Sequence, residues 1–312
     1  MSLLALLAAL PCLYWTSPVE TAADLKGAGI THVCVPVARA EAWLSAGFAV
    51  VPLDEAELAA RRKATAPGIL ARADRVSATR SPWIDANGWL FRRAPAGRYE
   101  YELPVGKAAL AAAEAFAYGV DAALAVDPGD LAELGRMQAF LAGLPVSDLP
   151  DVADLGVVDD GGAVMGEVLN LLTRRNLLYR LVSAPSAALP LTIQVGPNGY
   201  SLEEAADPSA FALAIRRKLT DAKRSLRLFG SEAVIARLTS DAGRLRLHLL
   251  NYGGREIEGL RIRLRGTYPA AEAQVAGHGR VALTDHVVAD GATELSLPRL
   301  PVYGVVDLTA GN

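Results

Sequence analysis

Two hydrophobic periods succeed one another along the chain, and the change from one to the other restricts the fold more than any other feature. Up to about residue 228, short runs rich in β-branched residues alternate with Ala- and Leu-rich segments whose apolar residues recur at helical spacing. Such runs are strands buried on both faces, and the segments between them can cross back over a sheet, which predicts parallel strands joined by helices. After Gly230 the period becomes two. "RLRLHLLNY" (244–252) and "GLRIRLRG" (259–266) alternate strictly, predicting antiparallel strands with Leu245, Leu247 and Leu249 buried and Arg244, Arg246 and His248 solvated.

Strands are expected at 12–16, 31–37, 48–53, 74–85, 122–127, 154–159, 179–184 and 191–195, and helices at 20–28, 40–46, 54–64, 107–118, 129–143, 163–177 and 208–226. Asp207-Pro208 reads as an N-cap followed by proline at the first helical position. These units predict an α/β fold built on a (β/α)8, TIM-like barrel over 12–228, degenerate where the helix after the seventh strand is nearly missing. Alternation on either side of Pro95-Ala96-Gly97 predicts a hairpin insertion at 89–104. Further strands at 281–288, 293–297 and 302–308 complete a small antiparallel β-sandwich over 231–312. At 312 residues the chain exceeds what one hydrophobic core usually holds.

Charge and hydropathy narrow the partners. Lys and Arg total 31 against 34 Asp and Glu, a net charge of −3 without a basic run, so nucleic acid is not an expected partner. Apolar residues make up 52 % and the mean hydropathy is +0.24, yet no apolar stretch approaches the roughly 18 to 20 residues of a membrane span. Leu3 to Leu10 has the length of a signal-peptide core without a basic segment before it; residues 1–11 are expected to be a removable leader and the protein secreted or periplasmic. The alternative for this run is a first buried strand or short helix. Cys12 and Cys34 are too few for a metal cluster or a disulfide framework and read as small buried apolar residues.

Exclusion then directs the chemistry. Histidines occur only at 32, 248, 278 and 286, which removes a histidine-based triad or metal site from the barrel. Neither GxGxxG after a strand nor GxxxxGK[ST] occurs, and no metal or cofactor is expected. Carboxylates remain. Asp85, Asp127, Asp159 and Asp160 each follow an apolar run, at the strand ends where a barrel carries its active site. Two carboxylates across a sugar ring are what glycoside hydrolysis requires, and Trp15, Trp83 and Trp89 would offer flat apolar faces to pyranose rings. Asp127 before Pro128 also fits a helix N-cap. Glu114, on an almost wholly apolar helix, reads as a buried hydrogen-bonded carboxylate, and Arg175, Asn176 and Tyr179 as rim contacts near the seventh strand.

A barrel followed by a small antiparallel sandwich resembles the layout of many carbohydrate-active enzymes. Within them, "WIDANG" (83–88) resembles the Trp-any-Asp-Met-Asn-Glu motif of the α-glucosidase and α-galactosidase group of glycoside hydrolases, matching at Trp83, Asp85 and Asn87. Ala86 and Gly88 stand where the motif has methionine and glutamate. The resemblance implies Asp85 as nucleophile and Asp159 or Asp160 as acid/base of a retaining enzyme acting on an α-linked sugar. Two further readings stay open. One is a non-catalytic carbohydrate-binding protein on a degenerate barrel. The other is a structural or interaction protein that forms oligomers through its sandwich.

Overall fold

The computed structural model describes residues 10–69, 83–95, 97–145, 147–241 and 243–311. Most of the expected leader and of the 74–85 strand lies outside the described residues. The chain divides into two compact units: residues up to 68 with 94–147, and residues 69–93 with 148 onward. The division near 147 separates the parallel strands into two sets, where the sequence suggested one barrel up to 228.

The first unit holds a six-stranded, wholly parallel sheet in the order Ala49–Leu53, His32–Pro36, Cys12–Tyr14, Asp121–Ala125, Arg98–Glu102, Arg62–Ala64. Every pair of sheet neighbours is consecutive in the chain or joins the last strand to the first, and only one consecutive pair is not adjacent in the sheet. Strands 49–53 and 62–64 follow one another in sequence yet occupy opposite edges. This is the strand order of a six-stranded barrel opened along one seam. A flat sheet of this width would hold its edges about 24 Å apart, at about 4.8 Å per strand. Residues 54–61 must cover that distance although Glu55–Ala59 is helical. At about 1.5 Å per helical residue and about 3.4 Å per extended one, the connection reaches at most about 22 Å, so the sheet is curved.

Three local expectations are corrected here. "WLFRRAPAGRYEYELP" is not a hairpin: Gly88–Arg93 is a helix and Arg98–Glu102 a parallel strand of the six-stranded sheet. The alternation of "RYEYE" does not mark a solvated face, because Tyr99, Glu100 and Tyr101 are all buried. The Tyr101 hydroxyl donates to Oε2 of Glu114 at 2.7 Å, which gives that helix carboxylate its partner. The expected helix 54–64 ends at Ala59, and Arg62–Ala64 becomes an edge strand. Its charged character suits an edge: Lys63 pairs with Glu100 at 3.2 Å and Glu102 at 2.8 Å on the neighbouring strand. Cys12 and Cys34 are buried as expected, but they are joined by a disulfide across adjacent strands, with Cα atoms 5.7 Å apart.

The second unit begins with a three-stranded parallel sheet, Tyr179–Leu181, Leu155–Val157, Leu191–Ile193. Helices Ala163–Arg174 and Pro208–Leu219 bury Met165, Leu169, Leu172, Phe211 and Ile215 in one cluster with these strands. Among the described residues these three strands form a sheet of their own, and no barrel closes. Two antiparallel sheets follow. One runs Leu226–Phe229, Ile257–Arg265, Ala292–Leu300, Thr284–Ala289. The other runs Val234–Ser240, Arg244–Asn251, Tyr303–Thr309, Ala270–Val275, Gly279–Val281. Leu260, Ile262, Leu295 and Leu297 of the first and Leu238, Leu247, Leu249 and Val306 of the second form a single hydrophobic cluster.

The alternation in 257–265 is realised as expected, Leu260, Ile262 and Leu264 being buried and Arg261 and Arg265 exposed. Strand 244–251 departs from it. It lies between two neighbours and is buried beyond Arg244, including Arg246 and His248. Arg246 is held by Asp307 at 2.6 and 2.8 Å, and His248 Nδ1 lies 2.7 Å from the Tyr303 hydroxyl. Burial, with the nearby charges of Arg237 and Arg246, holds the His248 imidazole well below its ordinary value and so neutral.

Candidate functional site

The "WIDANGW" stretch lies wholly in the second unit. Ile84–Asp85 is a two-residue strand with Ile84 buried. The Trp83 indole N–H donates to Oδ1 of Asp85 at 3.2 Å, and the Trp83 ring faces the Arg174 guanidinium at 4.3 Å from its centroid. Asn87 is buried, and its carbonyl accepts from the Phe91 amide at 3.0 Å, opening the Gly88–Arg93 helix. Trp89 rides on that helix and packs against the apolar cluster of the parallel strands.

The helix ends in two arginines that anchor it. Arg93 Nε and Nη2 donate to the two oxygens of Asp159, each at 2.7 Å, and Nη2 also reaches the Gly162 carbonyl at 3.1 Å. Its guanidinium lies 5.7 Å from the Trp89 ring centroid. Arg92 Nη1 donates to the Tyr179 carbonyl at 2.6 Å, its guanidinium 5.0 Å from that ring's centroid. Glycine at 166 permits this approach: a Cβ there would stand 3.2 Å from Arg93 Nη1 and 3.3 Å from the Trp89 ring. These tertiary anchors explain why a segment with strand-like alternation is helical.

Asp159 and Asp160 follow strand 155–157 and form the turn into the Ala163–Arg174 helix. Asp159 Oδ1 accepts from the Gly161 amide at 3.0 Å and Asp160 Oδ1 from the Gly162 amide at 2.7 Å, with Gly161 in the left-handed region at φ +76°. Burial pushes the Asp159 carboxyl up, but the Arg93 guanidinium and the Gly161 amide outweigh it and leave the group below its ordinary range. Asp160 is exposed.

Asp85, Asp159 and Asp160 thus belong to one unit, but they attach to different turns of the Ala163–Arg174 helix. Asp159 is tied through Arg93 beside Gly162 and Gly166, and Asp85 through Trp83 beside Arg174. From Gly166 to Arg174 the helix rises about 12 Å. Trp83, Asn87, Trp89, Arg175 and Tyr179 also lie in this unit; Trp15 and Asp127 lie in the other. There the Trp15 indole donates to Thr21 Oγ1 at 3.0 Å, and Asp127 caps a 3-10 turn by accepting from the Gly129 amide at 2.8 Å.

Three of the expected contact residues prove to be interior, Trp15 at 8 % exposure being the first. Tyr179 is 1 % exposed, its hydroxyl 3.1 Å from Thr173 Oγ1, and it is a core residue rather than a rim contact. Asn87 is 3 % exposed and serves the turn. Arg175 donates to Ser209 Oγ at 3.0 Å. Arg92 and Arg93 are the residues that sequence reasoning missed. Their signal was the "LFRR" that follows "WIDANGW". Among the described residues no three His, Cys, Asp or Glu side chains stand together in a way that could hold a metal ion.

No family model matches the chain, and no curated protein matches it. Solved structures do match. α-L-Fucosidase isoenzyme 2 from Paenibacillus thiaminolyticus has a TM-score of 0.55 at 9 % identity, over 88 % of this chain and 70 % of its own. A rhamnosidase from Novosphingobium sp. PP1Y has a TM-score of 0.47 at 11 % identity, over 86 % of this chain and 38 % of its own. Gan42B, a GH42 β-galactosidase from G. stearothermophilus, has a TM-score of 0.39 at 8 % identity, over 79 % of this chain and 53 % of its own. The chain therefore spans less than two thirds of the last two. The likeness to the fucosidase is one of fold: the chain resembles a carbohydrate-active glycoside hydrolase in architecture.

Proposed function

We propose that the protein binds carbohydrate on a glycoside-hydrolase-like scaffold without hydrolysing it, using Trp83, Asp85 and Trp89 as the sugar-contacting side chains. In this reading the six-stranded sheet derives from a (β/α)8 barrel, and the two antiparallel sheets are its appended β-sandwich. The observation that carries it is the state of Asp159. A general acid must hold a proton near neutral pH, which enzymes arrange by raising a carboxyl's pKa. Asp159 is displaced the other way, with both oxygens committed to Arg93. It is an anchor for the Gly88–Arg93 helix. Half-buried Trp83 and Trp89 retain ring surface for stacking on a sugar, and Asp85 retains a carboxylate for its hydroxyls.

A second reading rests on Asp160, whose exposed carboxylate is engaged by a single amide N–H. In it Asp160 is the acid/base and Asp85 the nucleophile of a retaining enzyme on an α-linked sugar such as a fucoside. We also propose that the protein is exported, as the apolar run at 3–10 and the Cys12–Cys34 disulfide support, since disulfides persist in oxidising compartments.

Glycan binding and aryl-glycoside turnover, measured on the same preparations, test the choice. Wild type should bind neutral oligosaccharides without turnover, and Asp85→Asn or Trp83→Ala should weaken binding about tenfold, about 1.4 kcal/mol, while Asp159→Asn should mainly lower stability. Turnover abolished by both Asp85→Asn and Asp160→Asn would establish the hydrolase instead. Failure to bind any neutral glycan would end the carbohydrate-binding reading.

A further inference from the structure

Three arginines gather around a single carboxylate where the Pro208–Leu219 helix leads into strand 226–229, and a fourth, Arg175, is the residue before Asn176, whose carbonyl holds one of them. Nη2 of Arg216 lies 3.7 Å and Nη1 of Arg224 3.3 Å from Oδ1 of Asp221, and Nη2 of Arg227 lies 3.1 Å from Oδ2. Arg224 is 7 % exposed; it also donates to the Asn176 carbonyl at 3.3 Å, and its buried Nε has no acceptor among the described residues. Arg175, which gives Nη2 to Ser209 Oγ, likewise has a buried Nε without an acceptor among them.

The guanidiniums feel one another. Burial and then the charge of Arg216 push both Arg175 and Arg224 below their ordinary range, and Arg175 immediately precedes Asn176, whose carbonyl accepts from Arg224. Glu232 and Asp207 pull Arg175 the other way, each less strongly than Arg216 pushes. Asp207 is already engaged by the Ser209 and Ala210 amides as a helix cap. Like charges brought together and partly desolvated are costly unless a counter-charge joins them. One carboxylate shared by three guanidiniums leaves positive charge over, and arginine forks match oxyanions in geometry.

We propose that Arg175, Arg216, Arg224 and Arg227 form an oxyanion site that takes the sulfate, phosphate or carboxylate group of a ligand. The neighbouring surface suits a ring carrying that group. Phe229 is 38 % exposed, and the guanidiniums of Arg227 and Arg261 stand 4.9 and 5.9 Å from its ring centroid. An acidic or sulfated sugar and a nucleotide share this chemistry, the anion on the arginines and the ring against Phe229.

The test uses the full chain at constant ionic strength, with sodium sulfate or phosphate replacing chloride, read by thermal unfolding and titration calorimetry. Sulfate should raise the melting temperature above that in chloride, and by more in wild type than in Arg216→Gln, a difference that the general stabilisation by sulfate does not produce. Arg216→Gln, a change at a solvent-accessible side chain, should weaken sulfate binding about tenfold, as the loss of one charge-assisted contact predicts. Asp221→Asn should melt lower in chloride, recover in sulfate and bind sulfate more tightly than wild type. Arg280→Gln, which removes an exposed pair with Glu272, should change none of this. Equal melting temperatures in sulfate and chloride, or unchanged sulfate affinity in Arg216→Gln, would overturn the proposal. A sulfated monosaccharide and a nucleoside monophosphate then separate the two sources: whichever binds more tightly identifies the class, and either result upholds the site. Neutral-glycan binding at Trp83 and Asp85 should be indifferent to Arg216→Gln, so this proposal and the sugar-binding reading fail separately.

Discussion

Asp159 is worth more to stability than its place on a loop suggests. Its carboxyl is depressed in the folded protein, so the pair with Arg93 contributes above the unfolded carboxylate value of about 3.9 and is lost as pH falls through the lower folded value. Arg93→Gln should therefore cost about 1 to 3 kcal/mol at neutral pH, with the difference from wild type fading below about pH 4. Urea unfolding at pH 7 and pH 3 checks this; an equal cost at both would mean the charge is not what matters. Single residues were unevenly legible. Asp85, Asp159 and Asp160 could be picked out because strand-end carboxylates are conspicuous in apolar surroundings. Whether Asp159 bears a proton depends on Arg93, 66 positions away, and no local pattern encodes that distance.

At the scale of elements, helices were read best where one face had to be buried. Ala108–Tyr118, Leu131–Gly143 and Ala163–Arg174 fall within a few residues of their expected bounds. Gly88–Arg93 and Arg62–Ala64 were missed because arginines anchored elsewhere in the structure, or cross-strand lysine pairs, decide them against their local pattern. The first unit also depends on a close approach that a sequence does not announce. A Cβ on Gly135, within a helix, would stand 1.8 Å from the Ala28 carbonyl oxygen. Gly→Ala in a helix usually stabilises by about 0.5 to 1 kcal/mol, and Gly27→Ala, which meets nothing within 4 Å, should do so. Gly135→Ala should instead destabilise by about 1 to 3 kcal/mol, the cost of overpacking. Chemical denaturation of the two variants should give opposite signs.

For the molecule as a whole, alternating strands and helices were enough to predict a parallel α/β fold but not how its strands would be shared. Ring closure depends on how strands 154–159, 179–184 and 191–195 pair, and nothing in those runs distinguishes a seventh barrel strand from the first strand of a separate sheet. The disulfide was equally hidden, since Cys12 and Cys34 meet only because their strands are neighbours. Closing a loop over a separation of 22 residues should stabilise the folded chain by about 3 kcal/mol. The Cys12→Ala/Cys34→Ala variant should lose that amount in denaturant, and a reductant should lower the wild-type melting temperature while leaving the variant unchanged.

The seam in the six-stranded sheet carries one further consequence, in how the backbone trades protons with water. A closed ring would give every strand two neighbours, whereas among the described residues Ala49–Leu53 and Arg62–Ala64 each have one, and Val51 on the first is 39 % exposed. Edge amides open by local fluctuation, while those of central strands exchange only when much of the structure comes apart. Deuterium uptake should accordingly be ordered outward from the middle of the sheet. Cys12–Tyr14 and Asp121–Ala125 should label last, and the two strands flanking the seam first. Uniform labelling of all six strands would mean that the two edges are hydrogen-bonded in solution and that the ring is closed.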